Sequence, residues 1–157
     1  RADHIGYIFQ QFNLLPYLNV LENVLLPCQF SQTRRGRAHS RVPSQTLEEQ
    51  AQALLERLHL PSELHARPVS ELSIGQQQRV AAARALIGYP GLVIADEPTS
   101  ALDHDNRKAF IELLMEQTNQ ANATLIFVSH DPTLEPLFDR TLNLPDINQA
   151  SNLGAAS

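Results

Sequence analysis

A four-residue apolar run that ends in two acids constrains the fold of this chain more than any other segment. Residues 92–95 read Leu-Val-Ile-Ala, and Asp96 and Glu97 follow directly. A run that is apolar on both faces is typical of a buried strand in a parallel sheet. In open α/β folds, ligands bind at the carboxyl edge of such a sheet. The segment therefore predicts an α/β protein with both acids at a ligand-binding edge.

The two acids suggest hydrolytic chemistry. Asp96 could hold Mg²⁺ directly or through water, because Mg²⁺ takes oxygen ligands and few protein groups. Glu97 lies where a base could orient or deprotonate an attacking water. The alternative is a strand that ends in two solvated acids, so the pattern alone leaves both interpretations open.

Other strand and helix patterns alternate along the chain, which favours a parallel sheet. Apolar spacing, β-branched content and capping residues locate them. The predicted elements are strands at residues 5–9, 124–128 and 140–144, and helices at residues 19–26 (ending before Pro27), 46–59, 75–88, 104–120 and directly after Asp131.

The predicted elements divide the chain into a sheet core and a helical insertion. Residues 11–88 contain no strand pattern and are predicted to form a helical subdomain, with the core at residues 1–10 and 89–144 and a polar tail at 145–157. Residues 31–44 contain four arginines and almost nothing apolar, which predicts an exposed loop or insertion. A solvated loop is the preferred interpretation, and contact with anionic lipid headgroups is the alternative.

Charge and hydropathy limit the partners of the chain. A net charge of −5 argues against nucleic acid, because a phosphate backbone requires a basic surface. No apolar run approaches the roughly 20 residues that a membrane-spanning helix requires. The single cysteine, Cys28, excludes an internal disulfide and fits a reducing compartment. Any contact with a membrane is therefore expected to be made through partner proteins.

The segment 72–76, Leu-Ser-Ile-Gly-Gln, is the second pattern that carries chemistry. Ser73 and Gln76 have the spacing of a capping box, which predicts that a helix begins here. The free N–H groups and partial positive charge of a helix N-terminus bind phosphate, and Gly75 lets a ligand approach the backbone closely. An ordinary capped helix is the alternative, but it explains neither Gly75 nor the glutamines that follow.

Three further residues occupy positions of interest. His130 follows an apolar strand, as Asp96 ends one, and a parallel sheet brings both to the same edge. Gln10 follows the first predicted strand, and Asp103 precedes a predicted helix. Each alone is more often structural than catalytic, and a lone histidine is no exception.

In order and spacing, these patterns resemble the motifs of ABC transporter ATPases. The segment 72–76 lies about two dozen residues before the acids, and His130 lies about three dozen after them. The resemblance extends over residues 5–144. Residues 9–16 and 21–24 are most similar to the branch of lipoprotein-release, macrolide-export and cell-division transporters.

The resemblance implies a P-loop NTPase-like fold, with a partial parallel-sheet core and an inserted helical subdomain. It implies ATP and Mg²⁺ as cofactors, and a dimer of identical ATPase subunits that encloses two nucleotides. Transmembrane permease subunits would be the other partners, with the ATPase on the cytoplasmic face of the inner membrane. Ser73, Gly75 and Gln76 would contact the γ-phosphate of ATP held by the partner subunit.

The remaining site residues also receive roles from the resemblance. Asp96 and Gln10 would support Mg²⁺, and Gln10 would also sense the attacking water while its loop touches the membrane subunit. Glu97 would be the catalytic base and His130 would hold the γ-phosphate. Asp103 would communicate across the dimer.

Three features depart from the family pattern, and one is the arginine-rich segment at residues 34–41, which is longer and more basic than expected for this branch. A phosphate-binding loop needs a glycine-rich turn followed by lysine, and the only lysine, Lys108, lies in a predicted helix. The chain is therefore expected to lack its N-terminal part, so that the full-length protein is an ATPase and this fragment alone is inactive. Ile74 also stands where glycine is usual.

Three other interpretations are weaker. Chromosome-maintenance and repair ATPases share these motifs but insert long coiled coils, and no sustained heptads occur here. A ribosome-associated translation factor would have two cassettes and more basic charge. A degenerate, non-hydrolysing module that acts as a binding or regulatory subunit is disfavoured because Glu97 and His130 are intact.

Overall fold

A three-stranded parallel sheet carries the acid-bearing segment at its centre. The computed structural model describes residues 3–147, and within them the strand order is β1 (Ile5–Ile8), β2 (Leu92–Asp96), β3 (Thr124–Val128). Both strand pairs are parallel, with Ile8 opposite Ala95 and Ala95 opposite Phe127. The predicted α/β fold with a parallel sheet is confirmed.

Six α-helices accompany the sheet in the part of the chain that the structure describes. They are α1 (Val20–Phe30), α2 (Gln32–Arg41), α3 (Leu47–Arg57), α4 (Ile74–Leu86), α5 (His104–Gln120) and α6 (Leu144–Ile147). Short 3₁₀ turns occupy Ser62–Leu64, Val69–Glu71 and Pro132–Leu137. Helices α1 to α4 lie between β1 and β2, and α5 lies between β2 and β3, as the crossovers of a parallel sheet require.

A continuous apolar cluster joins these helices to one face of the sheet. Ile8, Val93 and Ala95 are fully buried on that face, together with side chains of α1, α3, α4 and α5. The other face of β2 is only half-buried, so this strand is less enclosed than its apolar sequence predicts. The boundary between a helical subdomain at residues 11–88 and a sheet core remains a prediction.

The arginine-rich segment forms helix α2, so the prediction of an exposed loop is wrong. Ser31 caps this helix by accepting a hydrogen bond from the Arg34 backbone N–H at 3.0 Å. Arg35 Nε donates to the Cys28 carbonyl at 3.2 Å, and Arg37 Nε donates to the Gly88 carbonyl at 3.1 Å. Contacts of these arginines with backbone outside α2 stabilise the helix, and the composition of the segment does not reveal them.

Arg34 is the central residue of this arrangement, because only 2% of its surface is exposed. Its guanidinium donates to the carbonyls of Ile5 at 2.6 Å, Ile87 at 3.0 Å and Ala85 at 3.3 Å. These carbonyls belong to β1 and to the C-terminal end of α4. Arg34 therefore fastens α2 to the junction of the sheet and α4.

Replacing Arg34 with methionine is expected to lower the free energy of unfolding by about 2–3 kcal/mol. The variant keeps most of the side-chain volume but leaves buried carbonyl oxygens without a donor. Urea denaturation measures the effect, with Arg35→Met as the control because Arg35 is exposed. Equal losses in the two variants would contradict the structural role of Arg34.

Two other local predictions are wrong. Helix α1 does not end before Pro27 but contains it and continues to Phe30, where the backbone N–H of Ser31 donates to the Pro27 carbonyl. Residues 140–144 form no strand, since residues 140–143 are irregular and α6 begins at Leu144. Leu142 and Leu144 are 60% and 72% exposed, so their side chains gain no burial to stabilise a strand there. Of the predicted tail, residues 148–157 lie outside the described residues.

Candidate functional site

The carboxyl ends of the strands bring four of the predicted site residues to one edge of the sheet. Gln10 lies two residues beyond β1, Asp96 ends β2, and Glu97 follows it. His130 lies two residues beyond β3, and its Nδ1 is 2.7 Å from Glu97 Oε1. The parallel sheet thus juxtaposes residues that are 33 positions apart in the sequence.

The backbone at Glu97 adopts an unusual conformation. Its φ angle is +46°, in the left-handed region that residues other than glycine rarely occupy. Its N–H donates to the Val128 carbonyl at 3.0 Å, which continues the pairing of β2 with β3 for one residue. The Glu97 side chain is 21% exposed, whereas that of His130 is 84% exposed. Strained backbone of this kind is concentrated at functional sites.

The donor set around Asp96 fits Mg²⁺ better than a permanent protein-held metal. Asp96 is half-buried at the end of β2, and the exposed amide of Gln10 follows the neighbouring strand. Among the side chains that the structure describes, no group of three or more from His, Cys, Asp or Glu could hold a metal ion. Mg²⁺ is usually held by one or two carboxylates, with water and substrate phosphates as its other ligands.

Helix α4 begins at the predicted position with a complete capping box. Gln76 N donates to Ser73 Oγ at 3.3 Å, and Ser73 N donates to Gln76 Oε1 at 2.9 Å. A Cβ atom at Gly75 would meet only Leu102 Cδ2, at 4.0 Å, so packing within the chain does not require glycine there. Ile74 beside it is 53% exposed. The turn therefore presents an open backbone surface to a group from outside the chain.

The glutamines after this turn, which the capping box does not explain, contact backbone carbonyls. Gln77 Nε2 donates to the Leu72 carbonyl at 3.0 Å. Gln78 is 1% exposed, and its Nε2 donates to the Pro98 carbonyl at 2.6 Å. Sequence reasoning did not find the second contact, although the three consecutive glutamines beside an alanine-rich run were a signal. Helix α4 is thereby connected to the loop that follows the acids.

Asp103 caps helix α5, as its position predicts. Its carboxylate accepts from Asn106 N at 3.0 Å and from Asn106 Nδ2 at 2.8 Å. One turn further along, Arg107 Nη1 lies 2.5 Å from Asp131 Oδ2. This ion pair joins α5 to the residue after His130. Sequence reasoning missed it, because an arginine within a helix has no distinctive pattern.

The sequence identifies the family to which this site belongs. Residues 1–100 match the ABC transporter family. The chain is a member of that family. It is 42% identical over 146 residues to the lipoprotein-releasing system ATP-binding protein LolD of Hydrogenovibrio crunogenus, covering 93% of this chain and 59% of LolD. It is also 42% identical over 147 residues to the macrolide export ATP-binding/permease protein MacB of Chromobacterium violaceum, covering 93% of this chain and 21% of MacB.

Solved ABC cassettes confirm the fold. The structure of the ATP-binding cassette MJ0796, described as a dimer in a post-hydrolysis state bound to ADP and Pi, matches with a TM-score of 0.63 and 36% identity. The match covers 85% of this chain and 55% of that one. The predicted similarity to ATPases of lipoprotein release and macrolide export is confirmed, and the chain spans about three-fifths of LolD. No helix among residues 3–147 is long and apolar enough to cross a membrane.

The contacts of Asp131 with Thr133 and Arg107 make the stability of this ABC domain depend on pH. Hydrogen bonds from Thr133, with the guanidinium of Arg107, lower the pKa of Asp131 below its ordinary 3.8. A lowered folded-state pKa contributes stability that is complete above the unfolded value and is lost as pH falls through the folded one. Between pH 6 and pH 2, the wild type should therefore lose more stability than Asp131→Asn. Urea denaturation at both pH values measures this, and equal losses would contradict it.

Proposed function

We propose that this chain is part of the ATP-binding and ATP-hydrolysing subunit of an ABC transporter. The observation that carries the proposal is the contact between Glu97 and His130 at the carboxyl edge of the sheet, beside Asp96. Hydrolysis of a phosphoanhydride requires a base for water and charge stabilisation at phosphate. These three residues offer both at one place.

The chemistry follows from the position of each side chain. Mg²⁺, when bound, neutralises charge on the phosphates, and Asp96 with Gln10 would hold it at the sheet edge. Glu97 would orient the attacking water and accept its proton. The contact through Nδ1 of His130 fixes the direction of the Glu97 carboxylate. The other side of the exposed imidazole then remains available to the γ-phosphate.

Helix α4 would serve the nucleotide of a second, identical subunit. Ser73, Gly75 and Gln76 form its first turn, and the packing of this chain leaves Gly75 open. Phosphate binds at a helix N-terminus through the backbone N–H groups and the helix dipole. The solved cassette MJ0796 is a dimer, which supports the same arrangement here. Asp103 would then lie at the dimer interface, where it would communicate between the two subunits.

The membrane partners are proposed from the relatives. LolD is named as an ATP-binding component of a lipoprotein-releasing system, and MacB as an ATP-binding/permease protein. We propose that transmembrane permease subunits, rather than nucleic acid, are the partners of this chain, and that it acts on the cytoplasmic face of the inner membrane. Closure of the ATPase dimer on ATP would move the attached permease.

We propose that the phosphate-binding loop is supplied from outside these 157 residues. Lys108 lies in α5, where it is exposed and pairs with Glu112 at 3.9 Å, so it does not belong to a glycine-rich turn. The complete subunit is here a chain that contains these residues and the phosphate-binding loop of the family. The proposal predicts ATP turnover by the complete subunit and none by residues 1–157 alone.

Steady-state phosphate release from both proteins tests this proposal. Turnover by residues 1–157 alone would contradict the requirement for the loop. The absence of turnover in the complete subunit with its permease would instead favour the non-hydrolysing, regulatory module.

A further inference from the structure

We propose that Gln78 is a positioning residue that couples the first turn of α4 to the catalytic carboxylate of Glu97. The inference rests on the proposed function, because it concerns how two parts of the same ATPase site communicate. Gln78 touches neither acid. It contacts the backbone of Pro98, the residue that follows Glu97.

The hydrogen bond from Gln78 is buried, so its loss would destabilise the folded protein. Gln78 is 1% exposed, and Pro98 is buried as well. The Nε2–O distance of 2.6 Å indicates a direct bond with no bridging water. A buried carbonyl without a donor costs about 1–3 kcal/mol, so the loop after Glu97 is strongly held to α4.

This bond is one of the hydrogen bonds that hold the backbone around Glu97, together with the bond from Ser100 N to the Glu97 carbonyl at 3.2 Å. On one side, the N–H of Glu97 donates to the Val128 carbonyl at 3.0 Å. On the other side, the carbonyl of Pro98 accepts from Gln78. The φ angle of +46° at Glu97 is unfavourable for an L-residue, so surrounding contacts must maintain it. Helix α4 is therefore one of the supports that position the Glu97 carboxylate.

The same helix presents Gly75 at its start. Gly75 and Gln78 are three positions apart and so lie on one face of α4. A displacement of the first turn by a phosphate would be transmitted along a rigid helix to Pro98. In the proposed dimer, this turn contacts the partner's ATP, whereas Glu97 acts on ATP in its own subunit. Gln78 would thus couple the two ATP sites.

Gln78→Met in the complete subunit tests the coupling. The variant keeps the side-chain length but lacks the donor, so Glu97 is no longer held in position. We expect kcat to fall at least about tenfold, since small misplacements of reacting groups have large effects on rate. We expect KM for ATP to change less than about twofold, and the Hill coefficient to fall from about 2 towards 1.

Gln50→Met is the matched control. Gln50 is also a buried glutamine, 5% exposed, and its Nε2 donates to the Ala38 carbonyl at 3.1 Å. It lies in α3, and its other hydrogen bonds go to the carbonyls of Val42 and Gln45 rather than to the loop after Glu97. The control should lose comparable stability while keeping its kcat and Hill coefficient. Equal losses of kcat in the two variants would overturn the proposal, because Gln78 would then act only through stability.

A second readout does not depend on turnover. Hydrogen exchange at Ser100 and Leu102, whose backbone N–H groups close the loop after Glu97, should accelerate in Gln78→Met and not in Gln50→Met. Unchanged exchange in Gln78→Met would overturn the proposal. Accelerated exchange in a subunit whose wild type does not hydrolyse ATP would confirm the connection of α4 to the loop and refute the proposed function instead.

Discussion

Replacing Glu97 with glutamine is expected to reduce the ATP turnover of the complete subunit by about a thousandfold. A positioned general base contributes roughly 10²–10⁴-fold to a reaction rate, and an amide cannot accept the proton of water. The amide oxygen can still take the place of Oε1 in the 2.7 Å contact with His130, so the site keeps its shape. Single-turnover hydrolysis and equilibrium ATP binding separate the two effects: the rate should fall while affinity stays within about threefold.

Glu112→Gln provides the control for this experiment. Glu112 is an exposed carboxylate on α5 whose partner is Lys108, so its replacement changes charge in the same way away from the sheet edge. Its turnover should remain at the wild-type level. Wild-type turnover in Glu97→Gln would remove Glu97 from the chemistry and would require another base.

Replacing Gly6 with alanine is expected to lower the free energy of unfolding by more than about 3 kcal/mol. A Cβ atom at this position in β1 would lie 2.2 Å from the carbonyl oxygen and 2.8 Å from the carbonyl carbon of Ala85. Both are backbone atoms of α4, so no side-chain rotation relieves the clash, and the helix must move away from the sheet. Overpacking of a core costs about 1–3 kcal/mol when side chains can adjust, and a backbone clash costs more. Thermal or urea denaturation measures the loss.

Gly36→Ala is the matched control for this substitution. Gly36 lies within α2, and a Cβ atom there meets nothing within 4 Å. Because alanine is the better helix former, this variant should gain about 0.5–1 kcal/mol. A loss at Gly6 no larger than about 1 kcal/mol would contradict the close approach of α4 to β1.

The fold could be predicted where local pattern and tertiary packing agree. Helix α5 has the predicted limits because an apolar stripe with Phe110, Ile111 and Leu114 follows an acidic cap, and all three side chains are buried. Helix α2 could not be predicted from composition. Two of its arginines contact carbonyls about fifty residues away in the sequence, Arg34 with Ile87 and Arg37 with Gly88. A charged segment with distant backbone partners has the same composition as a solvated loop.

The candidate site also combines features that local sequence patterns predict with features that depend on tertiary packing. Polar residues at the carboxyl ends of parallel strands are predicted to lie at one edge of the sheet. This rule predicts that His130 lies near the acids, and its Nδ1 contacts Glu97. The capping box at Ser73 could also be predicted, because the residues that form it are only three positions apart in the sequence. The contacts of Gln78 with Pro98 and of Arg107 with Asp131 depend instead on the packing of whole helices. They have no fixed spacing and emerge only from the folded structure.

A linked dimer that carries two inactivating substitutions tests whether α4 of one subunit acts on the ATP of the other. Two complete subunits are joined in tandem, with Glu97→Gln and Ser73→Arg placed either in the same subunit or in different ones. If α4 contacts the partner's ATP, the two substitutions placed in different subunits affect the same ATP site and leave the other intact. Placed in the same subunit, they damage both ATP sites. We expect ATP turnover only when the two substitutions are in different subunits. Turnover only when both substitutions are in one subunit would contradict a contact of α4 with the partner's ATP. Ser73 and Glu97 would then act on the same nucleotide within one chain.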